Sequence, residues 1–202
     1  MLEFTKMTGL GNDYIYVDCT NGTKIKNVPE VTKKLSDRHF GIGADGLILI
    51  DKSENKDADF KMRIFNSDGS EAEMCGNGIR CVAKYIHDNK LFDKDKISIE
   101  TLAGIKKVKL LEEPAGDCNE VIVDMGEPLF QDNNIPYDVF EAFNKDLDLD
   151  VKDGKMRFTV VSMGNPHVIT FVEDVNNIDI TSYGPEVENN PVFPNRTNLE
   201  FV

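Results

Sequence analysis

Short strands dominate this chain and do not alternate strictly with helices, and this narrows the available folds more than any other feature. Leu47-Ile48-Leu49-Ile50 and Met62-Arg63-Ile64-Phe65 are apolar runs of strand length. Further strands are expected near Ile97–Glu100, Lys106–Leu111, Val121–Asp124, Arg157–Ser162 and Val168–Val172. Lys6-Met7 leads through a turn at Gly9-Leu10-Gly11-Asn12-Asp13 into Tyr14-Ile15-Tyr16-Val17-Asp18. Pro29 opens a helix expected through Leu35 to about His39. A second helix, from residue 79 to about 89, is marked by Ile79, Val82, Ala83 and Ile86 at i, i+3, i+4 and i+7. A doubly wound sheet needs regular βαβ alternation, so this mixture predicts an α+β fold.

At 202 residues the chain can form one large domain or two small ones. Glu112-Glu113-Pro114-Ala115-Gly116-Asp117 is polar and holds both punctuating residues, which divides the chain into residues 1–116 and 117–202. Beyond it lie a loop-rich acidic stretch, the later strands and a polar tail rich in Asn and Pro. Two echoes suggest that the second part repeats the first. Gly11-Asn12 before Tyr14–Asp18 resembles Gly164-Asn165 before Val168–Val172, and Arg63-Ile64-Phe65-Asn66 more weakly resembles Arg196-Thr197-Asn198.

Lys and Arg number 23 against 36 Asp and Glu, a formal net charge of −13, so a phosphate backbone would be repelled and nucleic acid is a poor partner. An anionic substrate would need locally placed donors. No apolar run approaches the roughly 20 residues that span a bilayer, and the N-terminus has no signal-peptide h-region. Cys19, Cys75, Cys81 and Cys118 are few, irregularly spaced and without C-x-x-C pairs, which argues against a zinc site or a disulfide framework and for a reducing cytoplasm.

The chemistry concentrates in Glu73-Met74-Cys75-Gly76-Asn77-Gly78-Ile79-Arg80-Cys81. Cys75 stands just before a helix start, where unpaired backbone N–H groups and the macrodipole favour thiolate over thiol. Free cysteines are commonly inert core residues, but glycines at 76 and 78 serve close backbone approach rather than packing. Cys81 is expected to pack, with a redox pairing to Cys75 as the alternative. Gly41-Ile42-Gly43-Ala44-Asp45-Gly46 matches G-x-G-x-x-G, yet a helix precedes it and a strand follows, the reverse of the dinucleotide context. These glycines are expected to shape a turn beside a pocket. Asn12, Asn66, Asn77, Asn165 and Asn198 each read as turn residues; together they offer amide donors and acceptors suited to an amino acid's carboxylate and ammonium. His167, between Pro166 and a strand, could tune a cysteine's protonation.

Lys6-Met7-Thr8-Gly9-Leu10-Gly11-Asn12-Asp13, the run Arg63 to Cys81, Met163-Gly164-Asn165-Pro166-His167 and Arg196-Thr197-Asn198-Leu199-Glu200-Phe201 closely resemble the diaminopimelate epimerase family, in order, from residue 3 to the last. Met-Cys-Gly-Asn-Gly is the specific element: proline racemases carry His where Asn77 stands, and phenazine-type isomerases lack this cysteine. The position of Gly46 is glutamine in some members and glycine in others, and no role is assigned to it. The resemblance implies two pseudo-repeated halves, each a curled mixed sheet around a central helix, with the active site between them. It implies epimerisation of LL- to meso-diaminopimelate, a step of lysine and peptidoglycan precursor biosynthesis, with no metal and no pyridoxal phosphate. By matching position, Cys75 is one acid/base, His167 supports thiol ionisation, and Asn12, Asn66, Gly76, Asn77, Asn165 and Asn198 contact substrate. Family members continue with a Glu-Arg pair and a second cysteine in Ala-Cys-Gly-Thr-Gly, so the second half is expected to be incomplete. The chain alone is then expected to be impaired, and exposed core would favour association, as a homodimer. Two other readings stand beside this one: a substrate-binding fragment without catalysis, and a related racemase acting on another amino acid.

Overall fold

The apolar runs pair into one sheet in the first part of the chain. A computed structural model describes residues 2–112, 118–128, 147–163, 166–194 and 196–202. Among them, eight strands form this sheet: β1 (Thr5–Gly9), β2 (Asn12–Asp18), β3 (Gly46–Lys52), β4 (Phe60–Asn66), β5 (Glu71–Ala72), β6 (Lys96–Thr101), β7 (Gly104–Glu112) and β8 (Cys118–Asp124). The order is β1-β2-β3-β4-β6-β7-β8, with the short β5 added to β4. β2–β3 and β4–β6 run parallel and the other neighbours antiparallel, so the sheet is mixed.

Two helices cover it. Helix α1 (Val28–Ser36) packs with Ile15, Val17, Leu47, Leu49 and Phe65 on one face. Helix α2 (Gly76–Asp88) lays Ile79, Val82, Ala83 and Ile86, all fully buried, against Tyr14, Tyr16, Ile48, Ile50, Met62 and Ile64 on the other. β2 and β3 are therefore buried on both sides. This is why they read as continuous apolar runs rather than alternating ones. Each such side chain contributes about 1.5–3 kcal/mol on leaving water, so α2 is the chief organiser of this core.

α1 ends at Ser36, before the expected His39, because the chain turns back there: the N–H groups of Ile42 and Gly43 both donate to Leu35 O, at 2.8 and 3.0 Å. The G-x-G-x-x-G glycines shape this turn, with a helix before and β3 after, and Gly43 holds φ +76°. Gly41 is the tightest point. A Cβ there would lie 2.3, 2.7 and 2.8 Å from the carbonyl oxygens of Lys34, Leu35 and Asp37. Backbone cannot yield as a side-chain tip can, so Gly41→Ala is expected to destabilise by about 1–3 kcal/mol. The check is a lower urea midpoint at unchanged slope.

The chain divides into the units Met1–Met125 and Gly126–Val202, not at 116/117 as expected. Residues 118–124 form β8, which hydrogen-bonds along β7 and so belongs to the first sheet despite the polar punctuation before it. The second unit has a sheet of β9 (Leu147–Val151), β10 (Gly154–Ser162), β11 (Pro166–Thr170) and β12 (Asn198–Phe201), ordered β12-β11-β10-β9. Its core gathers Leu149, Phe158, Val160, Val168, Val187 and Phe193. Helix α3 (Ile180–Glu188) lies within what reads as a polar tail, and β9 within what reads as acidic loop.

The repeat takes a different register from the weaker of its echoes. β1-β2-α1-β3 and β10-β11-α3-β12 are each an antiparallel hairpin, a helix and a returning strand parallel to the hairpin's second strand. In the first, Tyr14 sits opposite Gly46; in the second, His167 sits opposite Asn198. Asn198 is thus the counterpart of Gly46 at the start of β3, not of Asn66 at the end of β4. The fold is α+β.

Candidate active site

Cys75 is the N-cap of α2. Its backbone is extended (φ −140°, ψ 112°), and its Sγ accepts from the backbone N–H of Gly78 at 3.3 Å. The helix begins at Gly76, three residues before its apolar stripe, because Gly76-Asn77-Gly78 carries no apolar side chain to display the period. A Cβ on Gly78 would stand 2.7 Å from Ile48 Cδ1 and 3.5 Å from Cys75 Sγ, so glycine lets the first turn settle onto β3. All four cysteines are thiols; Cys75 is half-buried, whereas Cys19, Cys81 and Cys118 are buried. Cys81 packs in the core, with its Sγ 3.1 Å from the place a Cβ on Gly9 would take.

Tyr14 reaches Cys75 from β2, at 7% exposure within the same core cluster. Burial first, and then the charge of Cys75 and a hydrogen bond with it, push the Tyr14 hydroxyl far above the ordinary tyrosine range. The phenol therefore keeps its proton and is the donor in its hydrogen bond with the sulfur. Tyr14→Phe keeps the ring and removes that donor. It is expected to change the rate of Cys75 alkylation, measured by mass spectrometry of the modified peptide.

Asparagines 12, 66 and 77 converge where β2 and β3 begin, β4 ends and α2 starts. The structure sets them on element ends rather than in free turns: Asn12 opens β2, Asn77 lies in the first turn of α2 and Asn198 opens β12. Asn12 Nδ2 donates to Asp45 Oδ2 at 3.2 Å, and Asn77 Nδ2 donates to Asn12 Oδ1 at 2.6 Å. Arg80, one turn along α2, donates to Asn77 Oδ1. Asn66 closes its turn, with N–H to Ser70 O at 2.8 Å and Nδ2 to Ser70 Oγ at 3.1 Å. Gly76 supplies the first helical residue, and a Cβ there would lie 4.0 Å from Met125 Sδ, an ordinary contact.

A cluster of charge supports these amides. Arg38 pairs with Asp13 (Nη2 to Oδ1, 2.7 Å) and with Asp45 (Nη2 to Oδ1, 2.8 Å), while Lys6 pairs with Asp13 at 3.0 Å. The Arg38 hydrogen bond holds the Asp13 carboxyl well below the usual carboxylate range, against the opposing pull of burial. Asp13 thus contributes stability above the ordinary aspartate pKa, lost as pH falls toward its folded value. Sequence reasoning assigned no role to Asp45, Arg38 or Arg80, and no local pattern joins residues so far apart; the nearest signal was Asp45 within the glycine-rich run.

In the second unit, His167 on β11 places Nδ1 2.6 Å from Glu200 Oε1 on β12. A carboxylate beside one ring nitrogen fixes which nitrogen carries the proton. Asn198, opposite His167 in the ladder, donates from Nδ2 to Pro166 O at 3.0 Å. Asn165 lies outside the described residues. Among the described residues, no helix is long and apolar enough to cross a membrane.

The family model for diaminopimelate epimerase matches residues 4–131. The diaminopimelate epimerase of Acetivibrio thermocellus is 51% identical over 201 residues, covering 100% of this chain and 70% of that protein. That of Methanococcus maripaludis is 54% identical, covering 100% of this chain and 71% of its own length. Among solved structures, a probable proline racemase from Agrobacterium radiobacter K84 matches with a TM-score of 0.60 at 15% identity, over 94% of this chain and 55% of that one. A hydroxyproline epimerase from Agrobacterium vitis matches with a TM-score of 0.59 at 15% identity, over 93% and 54%. The chain spans little more than half the length of these structures, and the likeness to them is one of fold. The helix-capping thiol, the asparagines at the sheet ends and the identity shared along the whole chain agree: this chain belongs to the diaminopimelate epimerase family.

Proposed function

We propose that this chain acts in the metal-free, pyridoxal-phosphate-independent epimerisation of LL-diaminopimelate to meso-diaminopimelate, with Cys75 as one acid/base. The observation that carries the reading is the sulfur itself, half-buried at the start of α2 and already accepting a backbone N–H. In the reaction a thiolate takes the α-proton, becoming S–H, and the C–H electron pair stays on the α-carbon, delocalised into the carboxylate. The N–H groups at the start of α2, those of Gly76 and Asn77 among them, stabilise negative charge developing on such a carboxylate. Asn12, Asn66, Gly76, Asn77, Asn165 and Asn198 hold the substrate, and His167, with Glu200 beside it, supports thiol ionisation. The four thiols suit the reducing cytoplasm. Inversion also needs an acid on the opposite face.

A second reading is substrate binding without turnover. Incubation with diaminopimelate in deuterated water separates the two. Deuterium uptake with inversion is the expected result for a competent enzyme, and uptake without inversion for one working base. Binding with no uptake would favour the second reading, and neither binding nor uptake would sink both. The homodimer is tested alongside by sedimentation velocity, where a 22.7 kDa species alone would count against it.

A further inference from the structure

The amides of Asn12 and Asn77 lie between two opposite charges on different elements. Asp45, just before β3, accepts from Asn12 Nδ2 at 3.2 Å; Asn12 Oδ1 accepts from Asn77 Nδ2 at 2.6 Å; Asn77 Oδ1 accepts from Arg80. An amide taken alone can turn over at little cost, since its oxygen and nitrogen ends have nearly the same shape. A carboxylate, however, only accepts and a guanidinium only donates. With one at each end, a single head-to-tail arrangement satisfies every contact, and turning either amide sets donor against donor or acceptor against acceptor. The acidic end is itself pinned: Asp45 Oδ1 takes Arg38 Nη2 at 2.8 Å, and Asp45 Oδ2 takes the Asp13 N–H at 3.1 Å.

We infer that Asp45 and Arg80 are positioning residues that lock the polarity of Asn12 and Asn77, so that the second N–H of each amide nitrogen is offered to a substrate carboxylate. The inference rests on the reading that these asparagines contact an amino-acid substrate. Each amide nitrogen has two N–H bonds and spends one inside the relay, so one donor remains on each, with its polarity fixed. Those remaining N–H groups suit a carboxylate. This supplies the local donors that an anionic substrate needs in a chain of net charge −13.

The test reads the side-chain amide resonances of Asn12 and Asn77 in the ¹⁵N-labelled 202-residue chain, with calorimetric titration of diaminopimelate, for the parent, Asp45→Asn and Arg80→Met. Each variant changes one end of the relay, and the asparagine at the far end is the reporter. Asp45→Asn is expected to shift or split the Asn77 side-chain pair, and Arg80→Met that of Asn12. Each should weaken diaminopimelate binding by about tenfold or more, the loss expected for a hydrogen bond to a charged group. Far-end resonances unchanged in both variants overturn the relay. Shifted resonances at unchanged affinity overturn its part in carboxylate recognition. A parent chain that does not bind diaminopimelate overturns the proposed function instead, and the resonances still decide whether the relay exists.

Discussion

Cys75→Ser is expected to cut α-proton exchange in diaminopimelate by roughly 10²–10⁴-fold, the range removed with a positioned acid/base. The substitution separates chemistry from architecture unusually well. Serine is among the preferred N-cap residues, and its hydroxyl oxygen can take the Gly78 N–H that the sulfur now takes at 3.3 Å. Helix α2 should therefore keep its start, and thermal unfolding should move little. What goes is a group able to exist as an anion near neutral pH, since an unactivated serine hydroxyl stays protonated. Cys75→Ala is the complementary variant: it should lose exchange and also about 0.5–2 kcal/mol through the missing cap. Deuterium uptake by the serine variant at a rate near the parent's would remove Cys75 from the reaction.

The largest stability effect is expected at Ile79, the first apolar residue of α2 and fully buried. Ile79→Ala removes methyl groups from a site walled by β2, β3 and β4, leaving a cavity that the sheet cannot close. The expected cost is about 2–5 kcal/mol, a large share of the roughly 5–15 kcal/mol that holds a domain folded. Urea unfolding should show a sharply lower midpoint. Because Ile79 lies one turn past Cys75, the variant should also make the Cys75 thiol more readily alkylated. A loss below about 0.5 kcal/mol, the scale of an ordinary surface substitution, would mean that α2 does not organise the first core.

The parts legible in the sequence are those whose signal is local. The stripe Ile79, Val82, Ala83 and Ile86 announced α2, and the continuous run Leu47–Ile50 announced a strand, which the structure covers on both faces. α3 stayed hidden because Gly184 and Pro185 lie inside it and Val187 is its buried residue, so no stripe forms. β9, Leu147-Asp148-Leu149-Asp150-Val151, does alternate as a strand should, but its aspartates made it read as acidic loop. The division of the chain differs for another reason: Pro114 and Gly116 are punctuation in the sequence alone, whereas membership of a unit follows the hydrogen bonds, which join β8 to β7. At the site, Cys75 showed itself through its glycines, but the Asp45–Asn12–Asn77–Arg80 relay did not. Its links span 33 and 65 residues, and only the fold brings their ends together.

The Gly78 N–H that points at Cys75 sulfur makes the first turn of α2 sensitive to the charge on that sulfur. As thiolate the sulfur is a strong, charge-assisted acceptor; once it has taken the α-proton, the same contact weakens. With Cys75 as the proposed base, the helix start is expected to tighten and slacken once per turnover, in step with a proton that never touches the backbone. Hydrogen exchange at the Gly78 amide would keep time with that proton, slow while the sulfur is charged and faster while it is not.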